Sequence, residues 1–197
     1  MSKDKVLSQL RRLYASNFIS NISIAGAAWV LLLVSDGYSL IQVGLAETVF
    51  HAVSLCAEIP SGMFADVMGR KKSLIVSCVM SMLSAVVRGF IPGFAAVCAS
   101  VGFSALSYNF ISGSDSALAY DSLLEEGQES KYDKYISTQT AIYRISNGIA
   151  TLLAGVAVIM GNRNAQILSI AISAVNMVFL FFLRENKIIE KKSSDSL

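Results

Sequence analysis

The chain has 197 residues, of which 54% are hydrophobic and only 15% charged, with a mean hydropathy of +0.57 and a formal net charge of +2. Soluble domains carry about a quarter of their residues as charges, so this composition cannot cover a water-facing core and excludes an ordinary soluble domain. So small a charge balance asks for no nucleic-acid partner.

Lys3, Lys5, Arg11 and Arg12 precede an apolar stretch over 18–34. That stretch runs on without a small-residue cleavage signal, so it reads as a first membrane span rather than a signal peptide. A helix crosses about 30 Å of hydrocarbon in about 20 residues. Segments of that length lie at 13–34, 41–66, 73–90, 94–120, 135–160 and 165–183. Turn chemistry separates them at Ser35-Asp36-Gly37, at Gly69 to Lys72, at Pro92-Gly93 and at Gly161 to Asn164. A longer polar stretch, 121–134, joins the fourth span to the fifth. Residues 1–12 are expected as a short N-terminal segment, 13–183 as the bundle and 184–197 as a tail. Cys56, Cys78 and Cys98 sit in apolar runs without metal-ligand spacing and read as buried small hydrophobes.

Orientation follows from the basic residues. Thirteen of the 16 Lys and Arg fall in one set of connections: the N-terminus, Arg70 to Lys72, Lys131 with Lys134, and the segment from Arg184 to Lys192. That set is expected in the cytoplasm, with both termini there and Arg163 outside.

The loop between the second and third spans reads Gly62-Met-Phe-Ala65-Asp66-Val-Met-Gly69-Arg70-Lys71-Lys72. Gly62 would let a helix approach closely. Asp66 can pair with a cation or cap a helix, Gly69 permits a tight reversal, and the basic residues hold the loop at an anionic leaflet. This run resembles the signature of the major facilitator superfamily, although Val67 stands where many relatives carry a basic residue. The preceding Glu58-Ile59-Pro60-Ser61-Gly62 and the later run from Ser112 to Leu123 are similar to segments of some branches of that family. The resemblance implies an all-α membrane protein with six transmembrane helices, the N-terminal half of a twelve-helix transporter. It implies a small-molecule substrate moved by alternating access, and a missing C-terminal half or a second copy to complete the pathway. The expected setting is a bacterial inner membrane, with efflux of amphipathic compounds as the default activity. A non-transporting half that assembles with or regulates a full-length relative is the alternative.

Ionisable residues inside spans mark pathways. Glu47, His51, Ser54 and Glu58 fall within about 60° of one helix face. Glu47 and His51, one turn apart, have the chemistry to couple transport to protons. They could equally be wetted surface. Glu58 lies deeper and suits the inner gate. Asp115 lies about 9 Å inside Asp121 along a helix, and Arg144 in the fifth span is its expected partner, because a lone buried charge is costly. The resemblance assigns Asp66, Asp115, Asp121 and Arg144 to a gating cluster at the cytoplasmic end. The arginine motif that relatives often carry in the fourth span is missing, which argues against the usual proton-antiport scheme. Asn17 and Asn21 share a face of the first span, as cavity lining or as glue between helices. No catalytic constellation, metal cluster or nucleotide-binding loop is present in the sequence, so neither an enzyme nor a cofactor is expected.

Overall fold

The computed structural model describes residues 3–185, and every regular element among them is helical. Of the expected tail, only Arg184 and Glu185 fall among the described residues.

The first expected span is not one helix. It is α1 (Lys3–Asn21), a single turn α2 (Ile24–Ala27) and α3 (Trp29–Ser35). Ser23 ends the run by capping α2, its hydroxyl accepting from Gly26 N at 3.3 Å. The second span is α4 (Leu40–Met68), started by a reciprocal capping box in which Ser39 and Gln42 satisfy each other's backbone N–H. Next come α5 (Arg70–Phe90), α6 (Phe94–Ile111) and α7 (Ser114–Leu124). A short 3-10 turn then leads into α8 (Tyr132–Leu152), α9 (Ala154–Met160) and α10 (Asn162–Phe181).

Four helical stretches are long and apolar enough to cross a membrane: α4, α5, α6 with α7, and α10. Counting α8 with α9, bent by 44°, as one span makes five. The first segment does not meet the same length and apolarity, because α1 begins in charged sequence and the apolar remainder is broken twice.

The closest helix pairings run in series, and α7 closes the bundle by packing on both α5 and α1. α4 lies on α6, α6 on α5, α5 on α10, α10 on α1, and α1 on α8. Exchanging the first three expected spans with the last three leaves these main pairings unchanged. Serines knit α5 to α6: Ser73 donates to Phe110 O at 2.6 Å, Ser77 to Ser107 O at 2.8 Å, and Ser84 and Ser104 share a bond of 2.7 Å. In hydrocarbon there is little hydrophobic force between helices, so small and polar contacts of this kind set the packing. Gly89 serves the same end on α5, since a Cβ there would stand 2.9 Å from Gln166 Cβ on α10.

Apolar side chains remain on the outside, as a lipid setting allows. Ile41, Leu55 and Ile59 along α4 are 77%, 75% and 74% exposed. Cys56, expected to be buried, lies on that same outer face and is exposed, whereas Cys78 is in the core.

Candidate functional site

The α4–α5 turn reverses the chain on a single residue. Gly69 ends α4 and starts α5 with φ +105°, a backbone state that side-chain-bearing residues rarely adopt. Asp66 and Arg70, one turn apart across it, form an ion pair at 2.5 Å. Asp66 is largely exposed, so the pair by itself adds little stability. Asp121, at the end of α7, stands within electrostatic reach of Arg70, Asp66 and Glu125.

Gly69 offers no side chain to cap α5, and the cap comes from far along the sequence. Glu185 Oε1 accepts from Arg70 N at 2.9 Å and Oε2 from Lys71 N at 3.0 Å. A Cβ on residue 69 would stand 2.5 Å from that carboxylate. Lys71 Nζ donates to Phe181 O at 2.8 Å, and Arg12 donates to Phe182 O, so the end of α10 is also held by its carbonyls. Gln9, buried on α1, completes the joint. It donates to Ser122 Oγ at 2.8 Å and to Arg184 O at 3.1 Å, and accepts from Arg184 N at 3.3 Å. Burial pushes the Glu185 carboxyl above its ordinary range, against the pull of three backbone N–H groups and the Lys72 charge.

Glu185 and Gln9 were not singled out from sequence. The signal for Glu185 was indirect: a helix starting after glycine, with no acid in its first turn, needs a carboxylate from elsewhere. Gly62 has nothing within 4 Å of where its Cβ would stand, so the close approach expected there is not made among the described residues.

Along α4, His51 Nε2 and Glu47 Oε1 are 3.4 Å apart, with side chains 72% and 49% exposed. His51, Ser54 and Glu58 line one open pocket, as their shared face implies. Behind it, Ser54 and Asn109 bond reciprocally, at 3.1 Å through the side chains and 2.9 Å from the Asn109 amide to Ser54 O. Glu47 does not line that pocket and instead borders a second one with Trp29, Phe50 and Arg88.

Asp115 and Arg144 are not brought together. Asp115 Oδ2 accepts from Gln139 Nε2 at 2.7 Å and Oδ1 from Ser116 N at 2.7 Å, while Arg144 is exposed on α8. Asp115 sits at the first turn of α7 and faces a cavity inside the bundle, which Asn17 also lines. Asn21 donates to Asn17 O at 2.8 Å and to its Oδ1 at 3.3 Å. Among the described residues, no group of three or more His, Cys, Asp or Glu is placed to hold a metal ion.

Four or five helical stretches long and apolar enough to cross a membrane, with apolar side chains on their outer faces, define a multi-pass integral membrane protein. The Major Facilitator Superfamily family model matches residues 13–196, and the chain belongs to that family. Over 93 residues it is 37% identical to an uncharacterized MFS-type transporter, YxaM, of Bacillus subtilis (strain 168). That match takes in 47% of this chain and 23% of the relative's length.

Proposed function

We propose that the chain is the first six-helix half of a secondary transporter that moves a small molecule by alternating access. A second half or a second copy completes the pathway. In this reading residues 13–34 form the first of six spans, and both termini lie in the cytoplasm of a bacterial inner membrane. The observation that carries it is the α4–α5 turn. Its Asp66–Arg70 pair lies at one end of the bundle, against Asp121 and the end of α10, where a gate between two halves would be made or broken. Gly62, Asp66, Gly69, Arg70 and Lys71 act as gating elements, with Glu58, Asp115, Asp121 and Arg144 toward the same end. The apolar outer face of α4 supports a missing partner, because it borders the polar pocket of His51, Ser54 and Glu58. A lipid tail cannot satisfy those groups. Glu47 and His51, on the same stripe of α4 as Ser54 and Glu58, are the candidate proton-coupling pair, and Asn17 and Asn21 lie on the pathway. Amphipathic compounds leaving the cell are the default substrate class.

The test is flux into proteoliposomes from a panel of amphipathic compounds, for the chain alone and with a complementary six-helix half. Asp66→Asn or Arg70→Gln should slow flux by about tenfold, on the scale of a coupling between states, while equilibrium substrate affinity stays nearly unchanged. In the same assay His51→Gln should flatten the pH dependence over about pH 5 to 8, where histidine changes charge. A large loss of affinity with normal flux kinetics would remove the gating role. Absence of flux in both preparations would favour the non-transporting half.

A further inference from the structure

We propose that the cavity inside the bundle is a binding site for a single alkali-metal cation, held by Asp115 with the side-chain oxygens of Gln139 and Asn176. The cavity has a volume of about 160 Å³ and lies between α1, α5, α6, α7, α8 and α10. A water needs only about 10–15 Å³ of such space, so an ion and several waters fit.

The lining pairs serine hydroxyls with buried amide oxygens that have no hydrogen-bond partner. Gln139 and Asn176 are only 8% and 6% exposed. Gln139 Oε1 and Asn176 Oδ1 are buried and accept no hydrogen bond. Their amide nitrogens are already used, by Asp115 Oδ2 at 2.7 Å and by Ser20 Oγ at 2.8 Å. Ser77 and Ser169, also on the lining, donate to the carbonyls of Ser107 and Ala165 and accept from the Ser107 and Ser23 hydroxyls at 3.2 Å, so each oxygen keeps one further lone pair. Buried acceptors without partners are costly, and two of them, on α8 and α10, border one space with the Asp115 carboxylate of α7.

Charge selects the ligand. Among the described residues that line the cavity, Asp115 is the one carboxylate, and none is Lys or Arg. No cationic side chain pairs with Asp115, whose partners are the neutral Gln139 and Ser116. One carboxylate among neutral oxygens balances one positive charge. A divalent ion would keep an uncompensated charge at membrane depth, which is expensive. Hard oxygen donors suit such ions and not the softer transition metals. The site lies within this chain, so it stands or falls independently of the transport reading.

The experiment is thermal unfolding of the full chain in nanodiscs, with NaCl, KCl or choline chloride added at matched ionic strength. NaCl or KCl should raise the Tm saturably and choline chloride should not; the preferred ion is the one with the lower midpoint. Asp115→Asn should lose that response yet be no less stable than the parent in choline, because it removes a half-buried charge that no described cationic side chain pairs with. Asn176→Leu, which keeps the charge and deletes one oxygen, should move the midpoint to at least several-fold higher salt. Equal shifts in all three salts, or a parent-like response in Asp115→Asn, would overturn the proposal. If Asp115→Asn fails to fold, an unchanged midpoint in Asn176→Leu overturns it and a raised one upholds it.

Discussion

Glu185 shows how one side chain joins distant parts of the bundle. Its two oxygens take the first N–H groups of α5, which the turn glycine cannot reach. Removing a helix N-cap costs about 1 kcal/mol, so Glu185→Ala should destabilise the chain by that order in a chemical or thermal unfolding assay. Glu185→Gln, which keeps an acceptor oxygen, should recover part of the loss. The pH response has a definite sign. Burial raises the carboxyl pKa in the folded chain, so the folded state holds the proton more tightly than the unfolded state. The stability this contributes is present below the ordinary carboxylate range and is lost as pH rises through the raised folded value. The stability difference between parent and Glu185→Gln should change in that direction over the same window. A flat difference would show that the carboxyl does not titrate differently in the two states.

At the scale of elements, the α4–α5 reversal depends on Gly69 twice. Its φ of +105° is strained for any residue with a Cβ, and a Cβ would meet the Glu185 carboxylate at 2.5 Å. Strain of this kind costs about 1–3 kcal/mol. Gly69→Ala should therefore destabilise more than Glu185→Ala, since it adds strain and also displaces the cap. If the two variants are equal and their double variant is no worse, backbone strain at residue 69 adds nothing. The expected role of Asp115 changed at this scale as well. Both Asp115 and Arg144 are visible in sequence, but the pairing of α7 with α8 brings Gln139 to the carboxylate and leaves Arg144 exposed.

For the whole molecule, the proposed topology places Arg163 outside and the 3-10 turn at Lys131 inside. In a background with Cys56, Cys78 and Cys98 replaced, Arg163→Cys should react with a membrane-impermeant thiol probe in intact cells. Lys131→Cys should react only after permeabilisation. Labelling of Lys131→Cys in intact cells would invert the orientation. The packing of the helices also leaves α4 with an apolar outer face beside a polar pocket. A second half that covers this face should protect Cys56, which is exposed on it, and that protection is measurable by the rate of thiol labelling.

The sequence alone determined the class. Low charge, long apolar runs and the Gly62 to Lys72 pattern are local properties, and each survives without knowledge of which helix meets which. The face shared by His51, Ser54 and Glu58 was equally legible, because helical periodicity is fixed by the backbone. Only the tertiary structure decided the partners. Gln9 and Glu185 lie between 113 and 175 positions from the groups they hold, and no spacing rule connects them. The break of the first span into α1, α2 and α3 depends on a Ser23 cap and on packing against α9 and α10. Likewise, the polar cavity exists because separate helices converge with their polar faces inward. Covalent order fixes which residues share a face, whereas the joining of faces is set by packing between segments far apart in the chain.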